Sequence, residues 1–179
     1  GPMVRAIRDG RKTQTRRILK PQGAVLTDEK ARSFGIRPPQ TRNHPVVPCP
    51  YGQPGDRLWV RETWAQDDRG GVDDNGRAAV YYRADMPSNK VWSGSWKPSI
   101  YMPRWASRIT LEIVSVRVER LNDISAEDAE LEGCNRFVDS SGSYDARVQF
   151  CELWESIHGH GSWDLNQWVW VVEFKEVKP

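Results

Sequence analysis

Gly10-Arg11-Lys12-Thr13-Gln14-Thr15-Arg16-Arg17 places a helix stop, a run of cations and two hydroxyls within eight residues. Gly10 accepts the positive φ that ends a helix. Thr13 and Thr15 favour an extended backbone, so the chain passes here from helix to strand. In a strand, side chains two apart share a face. A strand from Lys12 therefore turns Lys12, Gln14 and Arg16 one way, and Thr13, Thr15 and Arg17 the other. A bend near Gly10, or a helix-to-strand corner, is needed to bring Lys12 and Thr15 together. Without one, the stretch is a solvated basic turn leading into an edge strand.

Pro2 to Asp9 reads as a short opening helix, with Pro at its first turn and Gly10 just past its end. Met3, Ala6 and Ile7 form its inward stripe, and Arg5 and Arg8 face out. Thr13 to Leu19 is the first strand. Residues 21–50 hold six prolines and few apolar residues, which excludes a central strand and predicts a long loop or insertion. Arg57 to Ala65 reads as a strand after a Pro54-Gly55-Asp56 turn, with Leu58, Val60 and Glu62 on one face and Trp59, Arg61 and Thr63 on the other. An acidic, glycine-rich turn over 67–76 connects it to a partner strand from Ala78 to Arg83. Residues 86–102 are irregular.

Ile109 to Arg120 alternates, with Ile109, Leu111, Ile113, Val116 and Val118 inward. The phase slips near Val114-Ser115, which predicts a β-bulge. Ser125-Ala126-Glu127-Asp128 resembles a capping box and opens a short helix to Glu132, closed by Gly133. Tyr144 to Ile157 is an amphipathic helix whose apolar side carries Ala146, Phe150, Leu153, Trp154 and Ile157. Trp168 to Val177 closes the chain as a strand with Trp168, Trp170, Val172 and Phe174 on one face. Antiparallel strands with three helices predict a small α+β barrel in a single domain over 1–179.

The 179 residues suffice for one core. Apolar residues are 38% of the chain, and nine Trp add large buriable surfaces. A net charge of +2 means that any anionic partner must meet a local basic patch. Arg5, Arg8, Arg11, Lys12, Arg16, Arg17 and Lys20, opposed by Asp9 alone, form one. No apolar run reaches membrane-spanning length, and there is no signal-peptide pattern. Cys49, Cys134 and Cys151 are odd in number and scattered, as expected of reduced thiols in a cytoplasmic protein. The paired spacing of a zinc site is absent, and His44, His158 and His160 read as loop residues, so neither metal nor cofactor is expected. Gly1-Pro2 reads either as a protease scar or as native residues of a trimmed chain.

Gly10-x-Lys12-x-x-Thr15-x-Arg17 resembles the signature of the ASCH domains, members of the PUA-like superfamily, whose usual motif is Gly-x-Lys-x-x-Glu-x-Arg. Thr stands here at the Glu position. The small bacterial ASCH enzymes that hydrolyse N(4)-acetylcytidine share that Thr. Cys49-Pro-Tyr-Gly52, Gly55 through Trp64, Met102-Pro-Arg-Trp-Ala-Ser-Arg108 and Ile124 through Gly133 look like a phage and prophage branch of the same proteins. The resemblance implies a PUA-like (ASCH) β-barrel, with a strand before the opening helix.

Acyl transfer needs a nucleophile, a base and a group to hold developing charge. The resemblance implies Lys12, Thr15 and Glu132 in these roles: Lys12 takes the Thr15 proton, Thr15 attacks the acetamide carbonyl, and Glu132 orients the pair or shuttles a proton. Glu130 competes with Glu132 for the carboxylate role, because the matching pattern Ala129-Glu130-Leu131-Glu132 is short. Arg17 would brace the pocket or neutralise Glu132, with Arg16, Arg61 and Glu62 as further substrate-binding candidates. Trp59, Trp64, Trp96 and Trp105 are candidates to stack a base; Trp168 and Trp170 are assigned to the core. The expected partner is a pyrimidine nucleoside or RNA. Besides hydrolysis of N(4)-acetylcytidine or a related acylated nucleoside, the same basic cleft suits a non-catalytic RNA-binding module or a ribonuclease.

Overall fold

The computed structural model describes residues 1–20, 22, 48–66, 71–72, 76, 78–87, 94–135 and 145–177. Most of the Pro-rich segment and of the 67–76 turn lies outside the described residues. Within them the chain is α+β, with helices α1 (Pro2–Arg8), α2 (Ala126–Leu131) and α3 (Ala146–His158). Six strands complete it: β1 (Gln14–Ile18), β2 (Arg57–Trp59), β3 (Trp64–Gln66), β4 (Val80–Tyr82), β5 (Thr110–Arg120) and β6 (Trp168–Val177).

The main sheet is antiparallel and curled, in the order β1-β6-β5-β2. β5 and β6 run side by side for most of their length. Their register slips between Ile113 and Ser115, so the bulge sits where the hydrophobic phase changes. One face carries Val116, Val118, Trp170 and Val172, which pack with Leu19, Ile113 and Leu58. The other face buries Val169 and Val171 against Leu121, Ala129, Phe150 and Trp154 from the α2–α3 side. β6 is thus apolar on both faces, as a strand covered on both sides must be.

Two expectations are corrected. Arg57 to Ala65 is not one strand. The chain leaves the main sheet after Trp59, turns Glu62 inward, and starts a second, two-stranded sheet of β3 with β4. A buried bidentate pair with Arg108 (2.9 and 3.0 Å) anchors Glu62, and that anchorage interrupts the ladder. On α3, Ile157 is exposed rather than on the apolar side; it lies in the last turn, one residue before the helix ends at His158. The capping box forms, with Ser125 Oγ accepting from the Asp128 N–H at 3.0 Å. Asp145 caps α3 in the same way.

Candidate active site

β1 is an edge strand, and the end of α2 closes on its free side. Thr13 N–H donates to the Leu131 carbonyl (2.8 Å), and Lys12 forms an isolated antiparallel bridge with Glu132. Gly133 makes the approach possible. Its φ is +89°, and a Cβ there would lie 3.1 Å from Ala6 Cβ and 3.2 Å from Lys12 Cβ. The α1–β1 corner at Gly10 and the α2 stop at Gly133 therefore bring together two residues 120 positions apart.

Lys12 Nζ donates to Glu132 Oε2 at 2.7 Å, to the Glu132 carbonyl at 2.8 Å and to the Gln14 carbonyl at 2.9 Å. These three bonds fill its three donors. Glu132 is buried, and its other oxygen accepts from Arg16 Nη1 at 3.2 Å. Arg16 is enclosed between the sheet and the helices, where it also contacts Glu119 and Asp128 and lies over the Phe150 ring. Arg117 joins the same group through Glu119, Asp128 and Glu173. Three cations thus face four carboxylates, and Gln14 ties Asp128 to β1 at 2.7 and 3.0 Å. Burial raises the Asp128 pKa, but the Gln14 hydrogen bond and the charges of Arg16 and Arg117 outweigh it and hold the carboxyl below its ordinary range. Beside them, burial and then Glu132 push the Cys134 thiol up to about 11, so it stays protonated and is no competing nucleophile.

Thr15 lies on the opposite face of β1. Its cross-strand partner is Val172, and that of Arg17 is Trp170. Arg17 Nη1 donates to Thr15 Oγ1 at 2.8 Å. Lys12 and Thr15 share no hydrogen bond among the described residues. They are joined instead through one peptide group, since Lys12 Nζ holds the Gln14 carbonyl and Thr15 supplies the nitrogen of the same amide.

The remaining candidates lie elsewhere. Trp64 is buried against Met102 and Ala106, and Glu62 is committed to Arg108. Trp59 and Arg61 sit at the β2 edge, with the Arg61 guanidinium 4.6 Å from the Trp59 ring centre. Trp105 is 47% exposed and meets Trp64 edge-on. Glu130 is half-buried on α2, whereas Glu132 makes the contact with Lys12. None of these residues lines the surface cavity of about 450 Å³ between Asn122, Cys151 and Trp163.

Sequence reasoning did not single out Gln14, Arg117, Glu119 or Asp128 as part of this cluster. The signal was the parity of β5, which puts Arg117 and Glu119 on the face opposite Val116 and Val118, the side that α2 and α3 cover. No helix of the described residues is long and apolar enough to cross a membrane. No protein-family model, curated protein or solved structure matches the chain.

Proposed function

We propose that the β1 edge is the site of an amidohydrolase acting on N(4)-acetylcytidine or a related acylated pyrimidine nucleoside. The observation that carries this reading is the 2.7 Å contact between Lys12 and Glu132, positioned on the peptide that leads into Thr15. The Thr in the ASCH-like motif supports it from the sequence side. A binding module has no need of a hydroxyl nucleophile on the strand that carries a buried Lys–Glu pair.

In this mechanism Thr15 Oγ1 attacks the acyl carbonyl. Its proton passes to Lys12, whose own proton moves to Glu132 across the short contact. The transfer requires Lys12 Nζ to release the Gln14 carbonyl and turn past the β1 edge, because the two side chains rest on opposite faces. Arg17, which donates to Thr15 Oγ1 in the resting structure, stabilises the negative charge that develops on the acyl oxygen as Thr15 attacks. The C–N bond breaks, the exocyclic nitrogen takes the proton from Lys12, and water then hydrolyses the acyl–Thr15 ester. Arg16 touches no substrate in this scheme; it fixes the carboxylate of Glu132 and acts as a positioning residue.

The test is loss of acetylcytidine absorbance on mixing with the protein. Thr15→Ala and Lys12→Ala are each expected to abolish turnover, with folding checked by circular dichroism. Undiminished turnover in both variants, or none in the parent protein, overturns the reading.

A further inference from the structure

The opposite edge of the main sheet carries a second surface that the Lys12–Glu132 site does not use. There Arg61 leaves the end of β2 and donates to the Ile100 carbonyl at 3.2 Å. The guanidiniums of Arg61 and Arg104 lie 4.6 and 5.7 Å from the Trp59 ring centre. Next to Arg104, Trp105 is 47% exposed and Tyr101 is 72% exposed. The backbone that presents these rings is fixed by two consecutive 3-10 turns, Ser99–Tyr101 and Arg104–Ala106, set by Pro98 and Pro103 and anchored by the buried Met102 and Ala106.

Among the described residues, the charge of this surface has one sign. Residues 94–111 contain no Asp or Glu. Among the described residues, Glu62 and Asp85 are both taken up by Arg108. Arg61, Lys97 and Arg104 have no ion pair among the described residues. A large exposed ring normally marks a contact site when it is joined to others in a patch. Here the rings stand on a preformed backbone among cations that have no ion pair among the described residues.

We infer that this edge binds single-stranded nucleic acid, with Trp105 and Tyr101 stacking bases and Arg61, Lys97 and Arg104 meeting phosphates. Only an unpaired strand offers a π-face and a negative charge with every nucleotide. A duplex hides its base faces, and a second copy of the chain would set like charges against each other. The proposal is independent of the hydrolase reading, since it rests on β2 and the two 3-10 turns alone.

The experiment is fluorescence anisotropy with a labelled 12-nucleotide single-stranded RNA and with the same sequence as a duplex, titrated with the full chain at several salt concentrations. Tighter binding of the single strand is expected. Its log–log salt slope should be about −2, corresponding to roughly three neutralised phosphates at about −0.7 each. Trp105→Ala and Tyr101→Ala should each weaken binding about tenfold. Tyr101→Ala removes an exposed ring and leaves the core intact, so it stays informative if Trp105→Ala unfolds. Arg147→Ala, on α3, should leave binding unchanged. Absence of binding at low salt, equal binding of duplex, unaltered affinity in both aromatic variants, or equally tight capture of an acidic peptide or phosphatidylserine vesicles would each overturn the proposal.

Discussion

Lys12 and Glu132 meet at 2.7 Å with side chains only 10% and 4% exposed, and Arg16 meets the same carboxylate from the other side. The two partners are therefore not equivalent. Removing the charge of Glu132 leaves Lys12 with carbonyl partners alone and takes one carboxylate from Arg16. Removing Lys12 leaves Glu132 still paired to Arg16. Glu132→Gln is expected to cost about 3 kcal/mol and Lys12→Met about half of that, as broken buried pairs do. Urea unfolding at pH 7 checks the order. A Lys12→Met variant less stable than Glu132→Gln would show that Arg16 does not hold the carboxylate.

Arg16 gives a sharper prediction. Its side chain is fully buried and spans Glu119, Asp128 and Glu132. A planar fork reaches three carboxylates at once, and an ammonium does not. Arg16→Lys should therefore destabilise the fold by about 2 kcal/mol or more, despite keeping the charge. If urea unfolding shows a loss below about 0.5 kcal/mol, the fork geometry is unimportant.

The helix-to-strand passage at Gly10, the bulge of β5 and the Ser125 cap were all readable, because each depends on local chemistry: a positive φ, a phase of two, a hydroxyl three residues before an amide. The outcome at Glu62 was not. A strand pattern ran through it, and the Arg108 that turns it inward lies 46 residues away. The same limit applies at the site. The parity of β1 separated Lys12, Gln14 and Arg16 from Thr15 and Arg17, and the structure keeps that division. What the pattern could not show is that α2 and α3 cover the charged face, which turns Arg16, Arg117 and Glu119 from an apparently solvated row into an enclosed ion cluster.

Two glycines separate backbone strain from steric fit. Gly10 and Gly133 have φ of +70° and +89°, but a Cβ at Gly10 meets nothing within 4 Å, whereas at Gly133 it presses on Ala6 and Lys12. Gly10→Ala should cost about 1 kcal/mol from conformation alone. Gly133→Ala should cost about 2 kcal/mol or more, because it also pushes Lys12 away from Glu132. Thermal unfolding of the two variants measures the difference. Under the proposed mechanism, only Gly133→Ala also lowers turnover. Equal costs would mean that the α2 stop does not constrain Lys12.

Acid should loosen the site from its Asp128 side. The carboxyl has an ordinary pKa of 3.8, and in the fold Gln14, Arg16 and Arg117 hold it lower against the opposing effect of burial. In the window between the folded and unfolded values, the unfolded chain binds more protons, so stability rises with pH there. The contribution is complete above about pH 4 and is lost as pH falls through the folded value. Asp85 adds to the same slope, since its hydrogen bond to Arg108 outweighs burial and lowers its pKa. The urea midpoint should therefore fall between pH 5 and pH 3. Asp128→Asn, which cannot titrate, should lower the midpoint at pH 5 and narrow the gap between the two pH values. An unchanged gap would place the acid sensitivity outside the Arg16 cluster.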